Sequence, residues 1–84
     1  MRIVDIHTIE RRDSLILYRR QYTAIAEIEH VSSETVPIRF TIEQSATGSD
    51  VSVDVDGELG YPLLPVLRSL KEEIQNRERQ GRLP

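Results

Sequence analysis

Two stretches of this chain alternate so regularly between apolar and polar residues that they set the architecture. In Val36 to Glu43, the residues Ile38, Phe40 and Ile42 point one way and Arg39, Thr41 and Glu43 the other. Val51, Val53 and Val55 alternate with Ser52, Asp54 and Asp56 in the same way. A period of two is the mark of a strand with one buried face. Between the runs lies Ser45-Ala46-Thr47-Gly48-Ser49-Asp50, a turn-forming segment, so the two strands read as a hairpin. Asp56-Gly57 then turns the chain out of the sheet.

A sheet with one apolar face needs a lid, and the C-terminal third supplies one. Leu63, Val66, Leu67, Leu70 and Ile74 fall at i, i+3, i+4, i+7 and i+11, an apolar stripe along one side of a helix. Pro65 has no N–H and is tolerated only in a first turn, which places the helix start near residues 63 to 65. Glu73 and Arg77 form an i, i+4 pair in the favourable orientation, and Gly81 is a natural stop. No residue from Gln75 to Gln80 is apolar, so this end is expected to project beyond the sheet.

Upstream, residues 14 to 31 lack Gly, Pro and Asn. Helical spacing exists there (Leu15, Tyr18, Tyr22, Ile25, Ile28), but Leu15-Ile16-Leu17-Tyr18 favours a strand and no helix cap precedes it. The reading is one long strand, bent or bulged near Arg19 to Thr23. Residues 2 to 11 make the first strand, with Arg12-Asp13 as the turn. In that register partner numbers sum to 25, which sets Ile3 opposite Tyr22, Asp5 opposite Arg20, His7 opposite Tyr18 and Ile9 opposite Ile16. Acid then meets base and apolar meets apolar.

The expected fold is therefore α+β. It is an antiparallel β-meander of about four strands (about 2–11, 14–31, 36–45 and 50–56) with one C-terminal helix (about 64–80) packed on one face. With 84 residues and 9.7 kDa, the chain holds one domain, and with no cysteine it has neither a disulfide nor a thiolate zinc site to reinforce a small core. One helix covers one face. Val4, Ile6, Leu15, Leu17 and Ile25 fall on the other, which predicts a homodimer through the helix-free side. Burying ~500 Å² of apolar surface there contributes on the order of 12 kcal/mol before association costs.

Composition narrows the function classes. Eleven basic residues against fourteen acidic ones give a net charge of −3, so no global field draws in nucleic acid or anionic lipid. Residues 41 to 60 carry five acids and no base. No apolar run approaches the ~20 residues of a membrane span, and Asp5 stands where a signal peptide needs its apolar stretch; a cytoplasmic protein without membrane contact is expected. There is no thiol, no Gly-x-Ser-x-Gly and no phosphate-cradling glycine loop, so neither a catalytic site nor a cofactor is expected. Asp54-Val55-Asp56-Gly57-Glu58 resembles part of a calcium loop, but with Gly57 sixth the twelfth position is Leu63, where a chelating Glu is required, and no metal site is assigned.

Two constellations remain. Asp5, His7, Tyr18 and Arg20 share one hairpin face if partner numbers sum to 25, and could move a proton or hold an anion at a subunit boundary. Arg11, Arg12, Arg19 and Arg20 flank Tyr18 and Tyr22, a mixture of bases and rings suited to single-stranded nucleic acid such as RNA. The leading expectation is a small non-enzymatic interaction module that self-associates through the helix-free face and docks other proteins. The alternative is an RNA binder using the arginines of the first hairpin.

Overall fold

The computed structural model describes residues 1–12, 18–30, 32–58 and 62–84. Four strands, β1 (Arg2–Arg12), β2 (Arg19–Glu29), β3 (Ser33–Ser45) and β4 (Gly48–Val55), form one antiparallel sheet in the order β1-β2-β3-β4. The helix α1 (Leu63–Arg79) follows. This is the expected α+β meander with its C-terminal helix.

The core lies between α1 and the sheet. Even-numbered residues of the central strands are buried there: Tyr22, Ala24, Ala26 and Ile28 from β2, and Val36, Ile38, Phe40 and Ile42 from β3. Tyr22 faces Phe40 across the pair, and the rings stack with centroids 4.8 Å apart. Ala26 faces Val36 and Ala24 faces Ile38, so small residues on β2 offset larger ones on β3. From α1 come Val66, Leu70 and Ile74. Pro65 sits in the first turn, as its missing N–H requires. At the other end Gly81 (φ 67°) closes a Schellman motif: Arg82 N–H donates to Arg77 O (2.9 Å) and Gly81 N–H to Glu78 O (3.1 Å).

Several expectations are corrected. The tight turn at Arg12-Asp13 does not form, because β1 continues to Arg12 and β2 starts only at Arg19. The register moves accordingly, and Ile3 faces Ile28, His7 faces Ile25 and Arg12 faces Gln21. The expected irregularity in the second strand lies instead in β1, between Ile3 and Asp5 and between His7 and Glu10. An edge strand can hold extra residues at the expense of one ladder, whereas a central strand would disturb two. These two shifts bring Ile3, Ile6 and Ile9 onto the core side although they are three apart. Thr8 carries the strain of the second shift at φ 53°, an unusual conformation for a β-branched residue. The hairpin turn is tighter than read, with Ser45 directly opposite Gly48. The ladder ends at Ile38–Val55, and the next residue on β3 is Pro37, which cannot donate.

The helix end does not project. Arg77 extends the buried stripe beyond Ile74 and keeps only 10% of its side chain exposed. Its aliphatic stem takes the place of an apolar residue, and its head finds oxygen acceptors.

Candidate interaction surface

The helix-free face is built from odd-numbered residues of β2 and β3 and even-numbered residues of β4. Along β2 it shows Gln21, Thr23, Ile25 and Glu27, along β3 Thr35, Pro37, Arg39 and Thr41, and along β4 Asp50, Ser52 and Asp54. It is a polar face with a small apolar centre, the half-buried Ile25 and its cross-strand partner Pro37. Of the residues expected to make it apolar, Ile6 is 2% exposed inside the opposite, helix-covered core, which removes it from any contact surface. Val4 is 47% exposed on the edge strand. Leu15 and Leu17 lie outside the described residues.

The four arginines expected to act together are divided between faces. Arg12 faces Gln21 and Arg19 faces Glu43, on the helix-free side. Arg11 faces Tyr22 and Arg20 faces Ile42, on the helix side. Three have acidic partners. Arg12 approaches Glu10 at 3.4 Å, Arg19 Nε donates to Glu43 Oε1 at 2.6 Å, and Arg20 is bound by Glu78. Arg20 also donates to the Tyr22 hydroxyl (3.2 Å). The Glu78 carboxylate raises the Arg20 pKa above its ordinary value, so this guanidinium stays a cation in an internal ion pair.

The constellation of Asp5, His7, Tyr18 and Arg20 does not assemble, because the change of register moves its halves apart. Asp5 faces Glu27 and His7 faces Ile25. A different group forms: ligand atoms of Asp5, His7 and Glu27 all lie within 4.8 Å of one another. His7 Nε2 is 3.3 Å from Glu27, and His7 Nδ1 lies 2.8 Å from Thr8 Oγ1. A cation already serves this group. Arg77 Nη2 donates to Asp5 Oδ1 (3.1 Å), and the Ile6 N–H donates to the same oxygen (2.9 Å). The hydrogen bond from Arg77 holds the Asp5 carboxyl below the usual carboxylate range. Arg77 further donates to Ile6 O (2.6 Å) and Glu73 Oε1 (3.0 Å). The arrangement ties the helix C-terminus to the bulged edge strand, and the charge of Asp5 is compensated from within the fold.

The two edges of the sheet contrast. β1 is interrupted twice, and Arg77 caps one of its carbonyls. β4 pairs with β3 without a shift from Gly48 to Val55. Among the described residues, no strand pairs with its other side. Asp56 N–H donates to Pro37 O (2.8 Å), which fixes the alternation of the antiparallel ladder. Asp54, Ser52 and Asp50 direct their backbone groups to β3, and Val55, Val53, Val51 and Ser49 direct theirs outward. Above this edge a shallow groove runs between β4 and α1, lined by Val51, Val53, Leu67, Arg68 and Lys71. Leu63 and Leu64, one helical turn before Leu67 and Arg68, are 49% and 76% exposed. The Val-Ser-Val-Asp-Val alternation signalled the strand, but nothing in it signalled which side would stay unpaired.

Residues 1–78 match the BB_0187 family, and the chain belongs to it. No curated protein and no solved structure matches. No helix among the described residues is long and apolar enough to cross a membrane.

Proposed function

We propose that this family member is a non-enzymatic interaction module that accepts an extended strand along the open edge of β4. The observation that carries this reading is the straight, bulge-free β4, paired on one side, beside a groove with apolar walls. A strand added there gains main-chain hydrogen bonds from Ser49, Val51, Val53 and Val55, and its alternate side chains enter the groove. Unprotected edges invite pairing with another chain, and natural sheets blunt the edges they do not use. β1 is blunted in this way and β4 is not.

Self-association through the helix-free face has less support, since that face is polar around Ile25 and Pro37. The nucleic-acid reading has less again, since its arginines lie on two faces and three of them are paired with acids.

Residue-resolved amide exchange combined with sedimentation tests the proposal on the isolated chain. The 9.7 kDa monomer is expected to exchange quickly at Ser49, Val51 and Val53 and slowly at Asp50, Ser52 and Asp54. If the first set is already protected in the monomer, the edge is closed and the proposal fails.

A further inference from the structure

We infer that the strand taken up by β4 belongs to a different protein and carries lysine or arginine on the side facing Asp50 and Asp54. The inference rests on the reading of β4 as a strand acceptor and concerns only what fills it.

An added antiparallel strand meets a different environment on each side. On the helix-free side lie Asp50, Ser52 and Asp54, with no cation on β4 itself. The neighbouring β3 offers Arg39 opposite Asp54, but this guanidinium leans to Asp56, 4.0 Å away. Glu43, opposite Asp50, is held by Arg19. The helix side presents Leu67 with the cations Arg68 and Lys71.

A second copy is a poor complement to this edge. Antiparallel pairing of β4 with itself runs about a two-fold axis perpendicular to the sheet, which keeps each face on its own side. With Ser52 on the axis, Asp50 of one copy lies opposite Asp54 of the other, twice over. Arg68 and Lys71 of one helix then approach the same residues of its twin. Like charges directly opposite on neighbouring strands destabilise the pairing.

A foreign segment removes both conflicts. Asp50 and Asp54 are four residues apart on one side of a strand, so the partner presents two cations at the same spacing with a small polar residue between them, opposite Ser52. The residues in between enter the groove and are apolar. The motif is cation–apolar–small polar–apolar–cation, five residues in extended form. Aspartates at the rim attract such a segment, speed its encounter and discourage wrong partners.

The test uses the full chain and three synthetic peptides with the cores Lys-Val-Thr-Val-Lys, Thr-Val-Thr-Val-Thr and Glu-Val-Thr-Val-Glu, titrated by NMR at low and high salt. The lysine peptide is expected to bind at least about tenfold more tightly than the glutamate peptide at low salt. High salt shortens the screening length and narrows that gap. Bound peptide shifts and protects the Ser49, Val51 and Val53 amides, and the double variant Asp50→Asn/Asp54→Asn loses the preference while still binding. Equal binding of all three peptides overturns the charge rule and leaves strand acceptance standing. Failure of all three to move those amides, with the chain monomeric, overturns strand acceptance as well. A wild-type dimer with those amides protected overturns the foreign partner in favour of a second copy.

Discussion

Replacing Arg77 by alanine should cost this domain about 2–4 kcal/mol. The side chain is 10% exposed and donates to three groups: Ile6 O at 2.6 Å, Glu73 at 3.0 Å and Asp5 at 3.1 Å. A hydrogen bond from a charged donor is worth ~1.5–3 kcal/mol, and the bond to the Ile6 carbonyl falls in that class. The two carboxylates remain 35% and 47% exposed, so water replaces the guanidinium at little cost and these pairs add ~0–1 kcal/mol. Loss of the packed stem adds a further part. Domains of this size are stable by roughly 4–13 kcal/mol, and each kcal/mol moves the melting temperature by ~4–8 °C. Thermal and urea unfolding followed by circular dichroism should therefore place Arg77→Ala about 10–25 °C below the parent. Arg77→Met, which keeps the stem, should fall between them. An alanine variant within ~0.5 kcal/mol of the parent would refute the docking of the helix C-terminus onto β1 and restore the expectation that this end projects.

The double shift in β1 predicts that Ile6→Ala costs ~2–5 kcal/mol while Ile25→Ala, on the open face, costs under ~1; the reverse order in urea unfolding would contradict the observed register. Thr8→Gly removes a β-branched residue from φ 53° and should stabilise by about 1 kcal/mol, whereas a loss of that size would show that the contact with His7 outweighs the backbone strain. The Asp5 pKa is depressed in the folded state by Arg77, so its stabilisation is present above the ordinary carboxyl range and drains away as pH falls through the depressed value. Asp5→Asn should therefore be less stable than the parent at neutral pH and converge with it below about pH 4; a gap that persists in strong acid would exclude the ion pair as its source.

What the sequence revealed followed from periodicity. Ile38, Phe40 and Ile42 on one parity, and Val66, Leu70 and Ile74 on one helical stripe, are dictated by side-chain geometry, and the structure buries all of them. The first hairpin resisted because its pattern is not periodic. Ile3, Ile6 and Ile9 are three apart, which matches neither a strand nor a helix until two shifts are inserted, and a period-two reading assigns Ile6 to the wrong face. Strict cross-strand charge matching then favoured an incorrect register. A spacing of three isoleucines in an edge strand was the available signal. Arg77 was legible as the partner of Glu73 but not as a core residue, since its burial depends on a carbonyl of β1 that is distant in sequence. The candidate surface was hidden for a related reason: a vacant edge is a property of topology, and the residues of β4 look alike on either side.

Those residues also explain how β4 can stay open without pairing to copies of itself. Edge strands are kept apart by bulges, by coverage or by charge. β1 has the first two, in its register shifts and Arg77. β4 has the third alone, because its ladder is regular and Asp50 and Asp54 are its charged exposed residues. Each opposed pair of like charges costs ~0.2–1 kcal/mol, and a two-fold pairing about Ser52 contains two. Their removal is thus worth about 0.5–2 kcal/mol, or a ~2- to 30-fold tighter self-association. Sedimentation velocity on Asp50→Asn/Asp54→Asn should show a concentration-dependent dimer at concentrations where the parent remains a monomer, and Val53→Pro, which removes one outward N–H, should abolish it in the triple variant. If the double variant stays as monomeric as its parent, charge is not what guards this edge.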